Sequence, residues 1–127
     1  RNDHQPVRRG VTRVREFLEA GVNVAYGSDN IRDPFRPFGR GDMLEEGLFT
    51  AQVIQYGTAK KLAQVLYMGT YAAARAAQLD HYGLEPGCHA DLVLLDAATP
   101  REALVTQCAR TLVMKGGTVT ARNGVLC

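Results

Sequence analysis

The chain has 127 residues, which is the length of one ordinary domain. Its 46% of hydrophobic and 22% of charged residues are typical of a globular protein, and no stretch approaches the roughly 20 apolar residues of a membrane span. A net charge of +2 is too small to indicate a nucleic-acid or membrane partner.

The cysteines and the start of the chain indicate the kind of protein. Cys88, Cys108 and Cys127 form no CxxC pair, and an odd number argues against a disulfide framework. They fit a reducing compartment, so a cytoplasmic protein is expected. The chain does not begin with methionine and shows no signal peptide, and Arg1 leads directly into a helical pattern. We therefore expect a piece of a longer protein.

The first predicted elements are a helix and a short strand. Residues 12–20 are predicted to be helical, with Thr12 as the N-cap, because apolar side chains share one face at Val14, Phe17 and Leu18. Gly21 is expected to end this helix. Val22–Tyr26 then has the short apolar character of a buried strand. A helix, a glycine and such a strand indicate repeated α/β units with a parallel sheet.

A loop and three helices are predicted next. Prolines exclude regular helix from residues 28–41. Asp42 is expected to cap a helix that runs to about residue 56. Two further helices are predicted, one from residue 58 or 59 and one over residues 70–79. The apolar positions expected to be buried in the first two of these helices are Met43, Leu44, Phe49, Val53, Ile54, Leu62, Val65 and Leu66.

The last third of the chain is predicted to be mainly β-structure. Residues 90–96 have a strand pattern, and a short helix is predicted over Pro100–Thr106. Residues 111–115 and 118–122 flank two glycines and are predicted to pair as a hairpin. The organisation therefore changes near residue 80, from helical and α/β material to strands.

Asp29 is the candidate catalytic residue. It directly follows the predicted buried strand, so it would lie at the carboxyl end of a parallel strand, where (β/α)8 barrels place their active sites. A carboxylate there can ligate a divalent metal and accept a proton from water. The alternative on spacing alone is an aspartate that begins a turn. The loop over residues 31–39 is long enough to wall a pocket.

Four segments of the chain carry motifs that occur together in one family. They are Arg8 through Asp29 with Asp33 through Leu44, then Thr70-Tyr71-Ala72-Ala73-Ala74-Arg75, then Gly83-Leu84-Glu85-Pro86-Gly87-Cys88-His89-Ala90-Asp91-Leu92-Val93-Leu94-Leu95-Asp96, and Val113-Met114-Lys115-Gly116-Gly117-Thr118-Val119. In this order they resemble the amidohydrolase superfamily. The first resembles the last barrel strand and its loop in bacterial cytosine deaminases, and the resemblance covers nearly the whole chain.

The fold implied by this resemblance is α/β: the C-terminal part of a (β/α)8 metal-dependent hydrolase barrel plus part of the superfamily's small β-sandwich. Residues 1–80 would supply the last barrel strand, the active-site loop and the following helices. Residues 81–127 would supply C-terminal strands of the sandwich, which N-terminal strands complete. The full-length protein is expected to be a homo-oligomer.

The activity implied by the resemblance is hydrolytic deamination of cytosine or a similar amino-substituted heterocycle, a small molecule of pyrimidine metabolism. This reaction needs one divalent metal ion, which is expected to be zinc or iron. Asp29 matches the family's metal-binding aspartate, which also moves the proton from attacking water to leaving ammonia. The family's other ligands, an HxH pair and a further histidine, and its acid–base glutamate match nothing here. They are expected upstream, so the chain alone should not catalyse the reaction.

Two positions near Asp29 bear on the substrate. Asn30 stands where cytosine deaminases usually carry a second acidic residue, and Phe35 stands where they usually carry a tryptophan beside the pocket. Both are predicted to bind substrate. Because an amide both donates and accepts hydrogen bonds, the ring that is recognised could differ from cytosine.

Two alternatives stay open at this point. One is a relative that releases an alkylamine or ammonia from an s-triazine ring, of the N-isopropylammelide-hydrolysing type, and Asn30 favours it. The other, from a different class, is a non-catalytic interaction domain, in which Val22–Tyr26 would remain an unpaired strand.

The remaining reactive side chains are expected to have surface, packing or strand-end roles. No HxH occurs, Cys88 has no nearby base, and Ser28 lacks a GxSxG context. The residues concerned are His4, His81, His89, Cys88, Ser28, Asp91 and Asp96.

Overall fold

The computed structural model describes residues 10–127. Helices carry the first part of this range and an antiparallel sheet carries the last part. The elements are α1 (Val14–Glu19), α2 (Met43–Val53), α3 (Ala59–Met68), α4 (Tyr71–Ala76), β1 (Leu92–Leu95), α5 (Pro100–Thr106), β2 (Arg110–Lys115), β3 (Thr118–Arg122) and β4 (Val125–Leu126). None of the helices in this range is long and apolar enough to cross a lipid bilayer.

Side-chain caps explain where three of the helices begin. The Asp42 carboxylate accepts a hydrogen bond from the Leu44 amide at 2.9 Å, which satisfies one of the free donors at the start of α2. Thr58 and Thr99 accept equivalent bonds from the third residues of α3 and α5. The predicted cap at Asp42 and the predicted helix over Pro100–Thr106 are therefore confirmed.

The core lies between α2, α3 and α5. Val65 and Leu104 are fully buried at its centre, and Val14 and Leu18 of α1 pack against it. The nine buried residues of the core are Leu44, Ala51, Ile54, Tyr56, Leu62, Val65, Ala103, Leu104 and Cys108. Burial of these apolar side chains is the main stabilising contribution to this part of the fold.

The sheet is a simple antiparallel meander with the strand order β1-β2-β3-β4. Leu92 of β1 lies opposite Met114 of β2, and Val113 of β2 lies opposite Ala121 of β3. The turn between β2 and β3 is Gly116-Gly117, where both residues have a positive φ (55° and 81°) that suits glycine. The predicted hairpin is confirmed.

Polar contacts join the sheet region to α2. Arg110, at the start of β2, forms an ion pair with Asp42, and the Gln107 side chain donates to the Leu44 carbonyl at 3.0 Å. Helix α5 packs against the helices that precede residue 80, although it follows that point in the chain. The division at residue 80 stays a proposal.

Val22–Tyr26 differs from the prediction. It finds no strand partner within residues 10–127, and Val22 is half exposed. The periodicity of a segment indicates a strand, but a strand exists only where neighbouring backbone pairs with it. The segment is held by side chains instead.

The N-cap of α1 and the buried face of α2 also differ from the prediction. Thr12 does not cap α1, since Arg13 occupies the N-cap position without a side-chain bond. Met43, Phe49 and Val53 are exposed, because the face of α2 on which they lie is only partly covered within the described range. Glu46, Gly47 and Ala51 are buried in their place.

Candidate functional site

The segment that leads to Asp29 is anchored at two points. The Asn23 side chain donates to the Ala72 carbonyl at 2.9 Å. The Tyr26 ring lies against Gly47 and Gly69: a Cβ atom added at Gly47 would lie 2.6 Å from the Tyr26 hydroxyl, and one added at Gly69 would lie 2.6 Å from Tyr26 Cζ. These contacts fix the path of the chain three residues before Asp29.

Tyr26 is half-buried, and its environment disfavours ionisation. Burial raises the pKa of Tyr26 to about 12, and the nearby negative charge of Glu46 acts in the same direction. The phenol is therefore neutral at physiological pH. It serves as a packing anchor whose hydroxyl lies 3.4 Å from the Met43 carbonyl.

Asp29, Asn30 and Phe35 line one cleft of about 780 Å³. Asp29 is exposed to this cleft and has φ 53°, a left-handed conformation that aspartate and asparagine adopt more readily than other non-glycine residues. Phe35 is 70% exposed. The three predicted site residues thus face the same open space, while their chemical roles remain predictions.

Asp33 organises the loop that carries Asn30 and Phe35. Its carboxylate accepts hydrogen bonds from the Phe35 amide at 3.0 Å, from the Arg36 amide at 2.9 Å and from the Asn30 side chain. The bond from the Arg36 amide is the largest cause of a lowered pKa for Asp33, to which Asn30 and Phe35 add. The loop is therefore built around an ionised carboxylate.

Asn30 has one side-chain donor in use and the rest of its amide available. Its Nδ2 atom donates to Asp33, and within the described part of the chain its Oδ1 atom makes no hydrogen bond. The side chain can thus offer an acceptor and a second N–H to a ligand.

Residues 10–127 do not by themselves form a metal site of three or more ligands. Between residues 10 and 127, no group of three or more His, Cys, Asp or Glu side chains is arranged to hold a metal ion. Asp29 can supply one oxygen ligand from the wall of the cleft, which fits the oxygen and nitrogen donors of catalytic zinc or iron sites. Further ligands would have to come from elsewhere in the full-length protein.

Of the other candidate side chains within the described range, Ser28 also lines this cleft and the rest lie away from it. His81 and His89 form an edge-to-face pair with ring centroids 5.8 Å apart, next to the sheet. Asp91 pairs with Lys115 and accepts from the Gly116 amide at 2.7 Å, as expected of a residue that stabilises a strand end. His4 lies outside the described residues.

Sequence reasoning missed Asp33, Arg36 and Glu46 as parts of the site. An aspartate before a proline is a signal for a turn in which the side chain binds backbone amides, so Asp33 could have been found. Nothing in the sequence distinguishes Glu46 from a solvent-exposed helical glutamate.

Comparison with known proteins identifies the family. A sequence model of the amidohydrolase family matches residues 1–121. The chain belongs to the amidohydrolase family. Among its relatives, N-isopropylammelide isopropyl amidohydrolase of Pseudomonas sp. (strain ADP) is 38% identical over 114 residues, which are 89% of this chain and 28% of that protein.

Solved amidohydrolase structures match the fold as well. N-isopropylammelide isopropylaminohydrolase from Burkholderia multivorans ATCC 17616 gives a TM-score of 0.89 at 40% identity, covering 96% of this chain and 31% of that one. The 5-methylcytosine deaminase from Klebsiella pneumoniae, solved with 5-fluorocytosine, gives 0.86 at 35% identity, covering 99% and 31%. The chain therefore spans less than a third of the length of these relatives.

Proposed function

We propose that the full-length protein is a metal-dependent aminohydrolase that removes an amino or alkylamino group from a small nitrogen heterocycle. The observation that carries the proposal is that Asp29, Asn30 and Phe35 line a single cleft in an amidohydrolase-family chain. The relatives with matching folds include enzymes named for such substrates, a 5-methylcytosine deaminase and an N-isopropylammelide isopropylaminohydrolase.

The proposed architecture follows from the same relationship. Residues 1–80 would form the C-terminal end of a (β/α)8 barrel and residues 81–127 part of a composite β-sandwich. In that arrangement Val22–Tyr26 would be the last barrel strand, paired with backbone outside this chain. This accounts for its apolar sequence, its lack of a partner within residues 10–127 and the half-exposure of Val22.

Asp29 would be both a metal ligand and the proton carrier. When bound, a divalent cation supplies a Lewis acid that lowers the pKa of water toward neutrality. An Asp29 carboxylate oxygen would accept the proton that water loses as its oxygen bonds to the ring carbon. The same oxygen would return that proton to the leaving nitrogen as the carbon–nitrogen bond breaks, which leaves a hydroxyl-substituted ring carbon and a free amine. The hydroxyl proton would then move to the adjacent ring nitrogen, which gives the ring carbonyl.

Asn30 and Phe35 would select the ring. The Oδ1 atom of Asn30, which has no hydrogen-bond partner among residues 10–127, can accept from a ring N–H, and the second amide hydrogen can donate to a ring carbonyl. The exposed Phe35 ring offers an apolar face for stacking on a planar heterocycle. An amide in place of a second carboxylate favours a ring with mixed donors and acceptors, and so supports the triazine alternative beside cytosine.

The test is a product assay with the full-length, metal-loaded protein. Cytosine, 5-methylcytosine, ammelide and N-isopropylammelide are supplied separately, and ammonia and isopropylamine are measured by mass spectrometry. We expect release of one of these amines from at least one ring, and isopropylamine would favour the triazine alternative. If neither ammonia nor isopropylamine were released from any of the four compounds, the proposal would be refuted.

Asn30→Asp is the variant that tests ring selection in the same assay. It exchanges a mixed donor and acceptor for an acceptor alone, and gain or loss of a hydrogen bond involving a charged group changes relative kcat/KM by about tenfold or more. It also sets a carboxylate beside Asp33, so thermal stability is measured in parallel. An unchanged ranking of the four substrates would remove Asn30 from the substrate site.

A further inference from the structure

Arg36 ties the loop of the candidate site to helix α2. Arg36 forms an ion pair with Glu46, and its second terminal nitrogen lies 3.6 Å from a Glu45 carboxylate oxygen. The guanidinium carbon also lies 5.9 Å from the centre of the Phe49 ring. Three successive contacts with α2 thus fix the head group of Arg36.

Glu46 is an unusual residue for this position on a helix. Its side chain is 4% exposed, and one carboxylate oxygen, Oε1, is buried without a hydrogen-bond partner in the described range. A buried and incompletely satisfied charge is costly, and an apolar residue of similar volume would often serve stability as well or better. The position of Glu46 on the core side of α2 is therefore better explained by the Arg36 side chain that it holds than by a contribution to stability.

The contacts of Arg36 lead directly to the site residues. Its backbone amide donates to the same Asp33 oxygen that accepts from Phe35, and Asp33 also binds the Asn30 side chain. The aliphatic stem of Arg36 packs on Gly39, where an added Cβ would lie 3.0 Å from Arg36 Cδ. Holding the guanidinium therefore holds the backbone around Asp33.

We propose that Glu46 is a positioning residue of the candidate site, which acts through Arg36 and Asp33 to set the orientation of Asn30 and Phe35 in the cleft. Glu46 contacts no substrate in this proposal. The expected change in KM on substitution of Glu46 rests on the proposed function, whereas the expected change in the order of the loop does not.

The experiment compares three variants of the full-length protein. Glu46→Met removes the charge at similar volume, and Glu46→Gln keeps one acceptor for Arg36. Arg40→Gln is the matched control, because Arg40 belongs to the same loop and pairs with Glu45 at 2.8 Å, but is 60% exposed and lies outside the cleft lining. Amide hydrogen exchange is followed at Phe35 and Arg36 and along α2 and α3, and kcat and KM are measured.

In Glu46→Met we expect exchange at the Phe35 and Arg36 amides to accelerate about tenfold, while α2 and α3 exchange as in the parent protein. KM should rise about tenfold with kcat changed by less than about threefold, because misplaced binding groups weaken substrate binding before they affect chemistry. Glu46→Gln should recover part of both effects, and Arg40→Gln should show neither.

Three results would overturn the proposal. In Glu46→Met, amide exchange at Phe35 and Arg36 could be unchanged, or exchange along α2 and α3 could accelerate by the same factor. The third result is a fall in kcat at constant KM, which would reflect only a smaller fraction of folded enzyme. If Glu46→Met fails to fold, Glu46→Gln carries the same comparison. A parent protein that hydrolyses none of the heterocycles would refute the proposed function, and the exchange measurement would still decide the role of Glu46.

Discussion

Asp29→Asn in the full-length protein is expected to lower kcat by about 10²–10⁴-fold, the usual contribution of a positioned general base. Asparagine has the same size and tolerates the left-handed backbone at this position, where φ is 53°, so the local conformation should survive. The substitution removes the negative charge of the Asp29 carboxylate and its capacity to accept a proton. KM should change much less, because other groups of the cleft bind the ring.

Asp96→Asn is the matched control for this experiment. Asp96 is an exposed aspartate beyond the end of β1, outside the cleft lining, so the same chemical change there should leave kcat and metal content unaltered. Near-normal turnover of Asp29→Asn with metal still bound would show that Asp29 is neither the ligand nor the proton carrier.

Gly69→Ala is expected to destabilise the protein by about 1–3 kcal/mol, the range for overpacking a close contact. Gly69 has φ −85°, which alanine adopts freely, so the cost is steric: the new methyl group would lie 2.6 Å from Tyr26 Cζ. Gly47→Ala should behave similarly, since its methyl group would lie 2.6 Å from the Tyr26 hydroxyl and 2.8 Å from Leu104 Cδ2. Thermal unfolding measures both.

Gly57→Ala and Tyr26→Leu provide the control and the rescue. No atom lies within 4 Å of a Cβ added at Gly57, so Gly57→Ala should be nearly neutral. In a Tyr26→Leu background the crowding partner is smaller, so Gly69→Ala should cost less than in the parent protein. If Gly69→Ala were as mild as Gly57→Ala, Tyr26 would not be the anchor of the segment that leads to Asp29.

Local signals explain which parts of the fold could be predicted. Asp42 and Pro100 begin helices because capping and the fixed φ of proline depend only on adjacent residues, and the Gly116-Gly117 hairpin depends on turn geometry alone. Val22–Tyr26 forms no strand within residues 10–127, because strand pairing depends on distant backbone. The exposure of Phe49 could not be predicted for the same reason, since the covering of a helix face is set by tertiary contacts.

The candidate site shows the same division. Asp29 is predicted from its place after an apolar segment and from the family resemblance, and Asn30 and Phe35 are predicted from the resemblance alone; all three line one cleft. The residues that hold them were missed, because a buried Glu46 that pairs with Arg36 looks like any helical glutamate in the sequence. Burial of a charge is a property of the packed molecule, and local periodicity carries no information about it.

The role of Asp29 as a metal ligand is tested most directly by the position of the metal in a crystal structure of the full-length protein, located by anomalous scattering at the zinc or iron edge. We predict a metal ion with an Asp29 carboxylate oxygen about 2.0–2.2 Å away, and with its remaining ligands outside residues 10–127. A fully occupied metal site with no ligand from Asp29 would contradict it.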